Sequence, residues 1–312
     1  MDLPGKDSPM FSILIPSWNN LPFLRLCIES IRKNSSFKHQ IIVHVNDGSD
    51  GTLDWVRQEG LDYTHSQENI GVCLAMNMMR TKVGTNYMLF VNDDMYVLPG
   101  WDKALADEIA ALPDNRFFLS STTIQPHTPG NVIVADFGDS IETFREKELL
   151  EKFSGLNKPD WMGATLPPNI VHRDIWDLVG GYSVEYSPGM YSDPDFSAKL
   201  WICGVRYMKG IGASKVYHFE TKSTGRIRKN NGRMQFLLKW GITSSSFRKI
   251  FTHKGKDFSP ALVNAFDPGF LRKRKVRSRL QAFKWILAGH PGPLWNFSSG
   301  SPVSSRPKTL DK

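Results

Sequence analysis

Short apolar runs alternate with amphipathic stretches through the first hundred residues. Phe11-Ser-Ile-Leu-Ile-Pro16 has the composition of a buried strand, and behind it Leu21, Leu24, Ile28 and Ile31 repeat at helical spacing. Residues 40–45 predict a second strand, which stops at the turn-rich cluster Asn46-Asp47-Gly48-Ser49-Asp50-Gly51-Thr52 and leads into a helix over 53–59. A short third strand is expected over 62–65, and Asn69-Ile-Gly71 leads into a helix over 72–81. The fourth run, Tyr87-Met-Leu-Phe-Val, halts at Asn92-Asp93-Asp94 within a segment closed by Pro99-Gly100. Four strand–helix alternations with short links predict an α/β fold: a mainly parallel central sheet flanked by helices.

Further along, the pattern predicts a helix over 101–112, strands over 117–123 and 132–135, and a charged, exposed helix over 141–153. Strands follow over 161–166 and 169–172, then a short helix over 173–179 closed by Gly180-Gly181. In Ser192-Asp193-Pro194-Asp195, Asp193 suits an N-cap, Pro194 the first helical position, and Gly204 the stop. Residues 206–208 and 213–217 predict two strands ending at His218, and helices are expected over 233–240 and 244–251. The expected division is a flexible start (1–10), a main domain (11–245, with halves 11–100 and 101–245), a basic helical extension (246–297) and a Ser/Pro-rich disordered tail (298–312).

Three polar loops, 17–20, 46–52 and 92–94, each follow a predicted strand, so in a parallel sheet they share one edge. That edge is where open α/β sheets bind ligands. It gathers Asp47, Asp50, Asp93 and Asp94 beside glycines that let backbone amides approach a ligand. Adjacent carboxylates repel and lose hydration unless a cation or a hydrogen-bond network satisfies them, and hard oxygen ligands suit Mg²⁺ or Mn²⁺ beside a phosphate. Taken alone, the triplet would serve equally as a polar turn with Asp94 capping the next helix. Asp193 likewise suits a cap, yet a rigidly held carboxylate is also what a catalytic base needs. His218 stands before a basic stretch with Lys222, Arg226 and Arg228, a setting that favours a loop facing an anionic group. Trp161, Trp176, Tyr182 and Tyr186 suit either stacking on a bound ligand or core packing, whereas His44, His65, His127 and His172 are expected to be structural.

Charge changes the picture at one end of the chain. The net charge is +8, but residues 221–312 carry 20 Lys and Arg against 3 Asp, and the remainder carries 19 against 28 acids. A mildly acidic body with a strongly basic end implies an anionic partner for that end. Arg272, Lys273, Arg274, Lys275, Arg277 and Arg279 are followed by Leu280, Phe283, Trp285, Ile286 and Leu287, the composition of a membrane-surface element. The competing expectation is a helix packed on the body with a solvated basic face. Nucleic acid is disfavoured, because no zinc spacing, helix-turn-helix spacing or aromatic platform accompanies the charge. Three isolated cysteines give no disulfide framework and fit a reducing compartment. The opening residues lack the apolar core of a signal peptide, so the expected location is cytoplasmic, peripheral at the inner face of a membrane if the basic segment docks there.

Four pieces, in order, carry a resemblance: Phe11-Ser-Ile-Leu-Ile-Pro-Ser-Trp-Asn-Asn, Val45-Asn-Asp-Gly-Ser-Asp-Gly-Thr, Asn69-Ile-Gly with Asn77, and Phe90-Val-Asn-Asp-Asp-Met with Pro99-Gly-Trp. Gly180-Gly-Tyr, Ser192-Asp-Pro-Asp and Val216-Tyr-His extend it, and Lys239-Trp-Gly is a softer echo. Together they resemble the family 2 glycosyltransferases of the GT-A fold, over roughly residues 10–245. The resemblance implies a Rossmann-like nucleotide-binding half joined to an acceptor half. It also implies inverting transfer of a hexosyl or related sugar from a nucleotide-sugar donor to a glycan or lipid-linked glycan. By the same resemblance Pro16, Ser17, Asn19 and Asn69 line the nucleotide pocket, and Asp47 meets the base. Asn92-Asp93-Asp94 stands for the family's Asp-x-Asp motif. Its first acid is Asn here, which points to Asp94 for the metal (Mn²⁺ or Mg²⁺) and Asp93 for the sugar or ribose. His218 would reach the metal or the diphosphate. Asp193 would be the catalytic base, although Ser192 replaces the Glu that normally precedes it. The runner-up activity, sugar nucleotidyl transfer, would want a Gly-rich loop with Lys or Arg after the first strand, and Pro16-Ser-Trp-Asn-Asn has neither. Loss of both the metal Asp and the base would suggest a binding protein that kept the fold without catalysis, and neither is lost.

Overall fold

The computed structural model describes residues 8–221 and 230–288. The first hundred of these wind as their pattern predicts. They form β1 (Ser12–Trp18), α1 (Leu21–Asn34), β2 (Gln40–Asn46), α2 (Thr52–Gln58), β3 (Asp62–Ser66), α3 (Gly71–Met79), β4 (Tyr87–Phe90) and β5 (Met95–Val97). Then come α4 (Trp101–Ala111), β6 (Phe117–Gln125), β7 (Ile133–Val134), α5 (Glu146–Lys152), β8 (Trp161–Met162), β9 (Asn169–His172), α6 (Arg173–Val179) and α7 (Ser192–Ile202). The last described elements are β10 (Tyr207–His218), α8 (Gly232–Trp240), α9 (Ser244–Ile250) and α10 (Pro268–Leu287).

One sheet runs in the order β3-β2-β1-β4-β9-β6-β10-β5, with β7 on β6 and β8 on β10. The β3-β2-β1-β4 half is parallel, as short βαβ links require. β9 runs antiparallel between β4 and β6, and β5 and β8 run antiparallel to β10. Leu24 and Ile28 of α1 and Trp101 and Leu105 of α4 cover one face. The other face packs against α3, α6, α7, α8 and α9 through residues such as Met76, Trp176, Phe196, Phe236 and Phe247. The fold class is therefore the expected α/β arrangement of a central sheet between helical layers.

Several local expectations need correction. The fourth apolar run is one strand, β4, ending at Phe90, but a further strand was not expected: after the acidic triplet the chain crosses to pair as β5 with β10. The two strands expected around residue 210 are a single strand, β10, with an irregularity between Ile211 and Lys215. The glycines that look like a break are there for space: a Cβ on Gly210 would sit 1.8 Å from the Trp161 ring. The charged helix shrinks to α5 because Ser140 and Thr143 bond each other's backbone N–H groups, competing with a helical turn. Asp193 is not an N-cap: α7 starts at Ser192, and Tyr191 before it takes a left-handed conformation with φ +70°. Residues 1–7, the tail from 289, and Lys222, Arg226 and Arg228 lie outside the described residues.

Residues beyond 245 fold back onto the body. Phe247 and Ile250 enter the core, Phe270 and Leu271 pack against it, and Asp257 bridges to Trp161 of β8.

Candidate active site

The carboxyl ends of β1, β2 and β4 open into a cleft of about 510 Å³, closed on its far side by residues 166–167, 188–193 and 218–221. Gly71 lets those walls meet. It has φ +77°, Val72 N–H donates to the Pro188 carbonyl at 2.9 Å, and a Cβ on Gly71 would lie 2.5 Å from Pro188. Asn46, the last residue of β2, is buried and ties the edge together. Its amide donates to the Ser17 carbonyl at 3.3 Å, and its carbonyl oxygen accepts from Ile70 N–H at 2.9 Å.

The register of β5 on β10 assembles one wall. Met95 pairs with His218, so Asp94 arrives beside His218 although 123 residues lie between them in the chain. Phe219 N–H donates to the Asp94 carbonyl at 3.1 Å, which fixes the crossing. Asp94 Oδ1 lies 3.4 Å from His218 Nε2, and its Oδ2 accepts from Thr221 N–H at 3.0 Å and Thr221 Oγ1 at 2.7 Å. Burial pushes the Asp94 carboxyl up, but His218 and Thr221 outweigh it and hold it below the ordinary aspartate value. Burial pulls His218 down, and Asp94 more than offsets that, so its pKa is raised. Next to this pair, Asp93 Oδ2 accepts from Ser17 Oγ at 2.7 Å.

The donor set fits a hard divalent cation in part. Two ligand atoms on an octahedral ion at ~2.1 Å, set at a right angle, lie about 3 Å apart, close to the separation of Asp94 Oδ1 and His218 Nε2. Among the described residues no group of three His, Cys, Asp or Glu could hold an ion unaided. Mg²⁺-type sites commonly use one or two protein ligands and take the rest from substrate phosphates and water.

Asp193 stands on the other wall, in the first turn of α7. Tyr182 Oη donates to its Oδ1 at 3.3 Å, and Ser197 Oγ donates to its main-chain carbonyl at 2.9 Å. Burial raises its pKa to about 6, against the field of Lys254 and the bond from Tyr182. Two residues on, Asp195 is fully buried and points away. Its oxygens accept from Ser183 Oγ at 2.6 Å, Trp240 Nε1 at 2.9 Å and Lys239 Nζ at 2.9 Å, so it ties α7 to α8.

The cleft therefore brings together Pro16, Ser17, Asn69, Asn92, Asp93, Asp94, Asp193 and His218. Asn19 and Asp47 lie outside the lining. They bond each other at 2.9 Å, both with positive φ, and His65 Nε2 contacts the Asp47 carbonyl oxygen at 3.1 Å. Trp161, Trp176, Tyr182 and Tyr186 are core residues, although Tyr182 reaches Asp193. His44 is buried between Thr64 and Ser66, and burial brings its pKa down to about 4.

Sequence reasoning missed Thr221, Glu220, Met190 and Lys254. Glu220 lines the cleft but spends its carboxylate on the N–H groups of His127 and Thr128. Lys254 donates to Thr165 Oγ1 at 2.8 Å, and burial lowers its pKa to about 8. The hydroxyl of Thr221 was the one visible signal, three residues past His218.

With this geometry in view, the relatives can be placed. Residues 12–155 match the profile described as Glycosyl transferase family 2. Over this segment, a little under half of the chain, the sequence is similar to the family 2 glycosyltransferases. Glycosyltransferase GlyA of Streptococcus pneumoniae is 29% identical over 103 residues, 31% of this chain and 15% of GlyA. An uncharacterized protein, y4gI, of Sinorhizobium fredii is 24% identical over 257 residues, 75% of this chain and 27% of that protein. The chain thus spans less than a third of either relative's length.

Among solved structures, S. aureus TarS 1-349 superposes with a TM-score of 0.50 at 15% identity, over 67% of this chain and 60% of that one. GalNAc-T7 with UDP, GalNAc and Mn²⁺ reaches 0.55 at 13% identity, over 96% of this chain and 59% of that one. At such identities the likeness is one of fold.

Proposed function

We propose that this chain transfers a sugar from a nucleotide-sugar donor to a hydroxyl group of a glycan acceptor, by metal-dependent single displacement with inversion. The observation that carries the reading is one cleft with Asp193 on one wall and Asp93, Asp94 and His218 on the other. Asp94 and His218 would hold Mn²⁺ or Mg²⁺. When bound there, the cation offsets the negative charge that grows on the departing diphosphate. Asp93, oriented by Ser17, faces the donor sugar or ribose. Pro16, Ser17, Asn69 and Asn92 border the nucleotide. Asn19 and Asp47 shape the loop at its end, and contact of Asp47 with the base would require that pair to open.

Asp193 takes the proton of the acceptor hydroxyl as its oxygen bonds to the anomeric carbon and the carbon–phosphate-oxygen bond breaks. A carboxylate with pKa about 6 is ionised at neutral pH yet basic enough to accept that proton. With a base and no enzymic nucleophile the displacement is single, which inverts the anomeric centre. TarS has been solved with UDP at a TM-score of 0.50 and GalNAc-T7 with UDP, GalNAc and Mn²⁺, which makes UDP-sugars the first donors to try.

The test is a panel of nucleotide sugars with Mn²⁺ and a mixed glycan acceptor pool, read as nucleoside diphosphate release and as the anomeric configuration of the product. One donor should be consumed, with inversion, and EDTA should stop it. A retained configuration would overturn the single displacement, and full turnover in EDTA would overturn the role of the metal.

A further inference from the structure

The helix α10 leaves an apolar face uncovered. Val276, Leu280, Phe283 and Leu287 are 52%, 57%, 60% and 70% exposed. At 3.6 residues per turn they fall within about 60° of one another, a stripe about 16 Å long. The opposite side of the helix is packed: Ser278 is buried, Trp285 lies under the Arg233 guanidinium at 5.8 Å, and Leu271 sits against the core. Trp285 thus turns inward rather than joining the exposed stripe. Arg277 and Lys284 border the stripe on one side, Arg272 and Arg279 on the other, and all four are exposed. Their side chains meet no carboxylate among the described ion pairs of α10, and the helix holds no acid from Pro268 to Leu287.

We infer that α10 is a docking face for an anionic lipid bilayer, lying in the plane of the surface. Leu280 and Phe283 would enter the headgroup–acyl boundary, and the four flanking cations would meet lipid phosphates. The two features together select this occupant. Cations alone would suit nucleic acid, but a base could stack only on Phe283, and Val276, Leu280 and Leu287 would stay in water. A protein partner of core-like character would disfavour a border of four unpaired cations. Apolar residues framed by Arg and Lys are what an interfacial helix needs. No helix among the described residues is long and apolar enough to cross a membrane, so the contact lies on the surface.

The experiment is co-sedimentation of the full chain with vesicles of equal parts phosphatidylglycerol and phosphatidylcholine, against phosphatidylcholine alone. Two variants accompany it: Leu280→Glu with Phe283→Glu, and Arg272→Gln with Arg277→Gln, Arg279→Gln and Lys284→Gln. All six positions are exposed, and circular dichroism checks that the fold survives; Leu280→Ser with Phe283→Ser replaces the first pair if it does not. The wild type should sediment with the anionic vesicles only. Each variant should weaken that binding at least about tenfold, and raised salt should release the wild type. Four results would overturn the inference. These are equal recovery in the supernatant with both vesicle types, or binding unchanged in both variants. The third is binding lost instead on neutralising Arg306, Lys308 and Lys312, and the fourth is a vesicle-independent dimer that the Glu pair dissolves. Nucleotide-sugar turnover in solution should stay unchanged in both variants, which keeps this inference separate from the proposed chemistry.

Discussion

On one wall of the cleft Asp94 receives two hydrogen bonds from Thr221 and faces His218; on the other, Asp193 receives one long bond from Tyr182 within the field of Lys254. Asp94 is buried and Asp193 half-buried at the cleft wall, and loss of hydration pushes both pKa values up. The donors around Asp94 reverse that push, whereas those around Asp193 do not. Under the proposed chemistry, this contrast would suit the two aspartates of one cavity to different work, Asp94 to stay ionised beside a cation and Asp193 to exchange a proton near neutrality. The lesson is that the count and charge of donors at the carboxylate, rather than depth, divides the roles.

That contrast can be broken at either wall. The largest expected effect is at Asp193. Asp193→Asn keeps the shape and removes the proton acceptor, so transfer should fall by about 10²- to 10⁴-fold. Donor affinity, measured by calorimetry, should stay unchanged. Asp94→Asn should cost about 10²-fold in rate, by analogy with the loss of one preorganised electrostatic group. Unlike the first variant, it should also weaken Mn²⁺-dependent donor binding. Lys254→Met removes the positive charge that holds Asp193 down, so it should lower transfer several-fold at about pH 6 and leave it unaltered at about pH 8. An acid-shifted profile would reverse the assigned sign.

The smallest effect is on stability. A carboxyl whose folded pKa is raised binds its proton more tightly in the folded state, so stability falls as pH rises from the ordinary aspartate value of 3.8 to about 6, and is level above that. Asp193→Asn should therefore melt higher than the wild type above about pH 6 and equally near about pH 4. Identical melting curves across that range would mean that burial does not load Asp193.

Much of the first hundred residues was legible from the sequence alone. Apolar runs with short links gave β1 to β4, and three strand-ending loops placed Ser17, Asn46 and Asp93-Asp94 on one edge. The short strands divide: β9 was legible at 169–172, β8 keeps only the first two of the residues expected over 161–166, and β5 was missed, because three residues carry little periodicity and its identity is set by pairing with β10. The Asp94–His218 contact is a product of the β5–β10 register, and no local pattern encodes it. The capping expectation for Asp193 fails because the left-handed Tyr191, not a side-chain bond, starts α7. Lys254 stayed hidden because it reaches Thr165 only after the segment behind α9 folds back along β8. In α10 the basic and apolar composition was plain, but which residues face outward depends on the packing of Ser278 and Trp285.

The central claim is that Asp193 is the base and that burial sets its pKa. The pH dependence of transfer, measured on wild type and Asp193→Asn side by side at saturating donor, tests it most directly. The wild-type rate should be level above about pH 6 and fall about tenfold per unit below it, while the residual rate of the amide variant should show no break there. A wild-type profile without that break, or the same break in both proteins, would contradict the account.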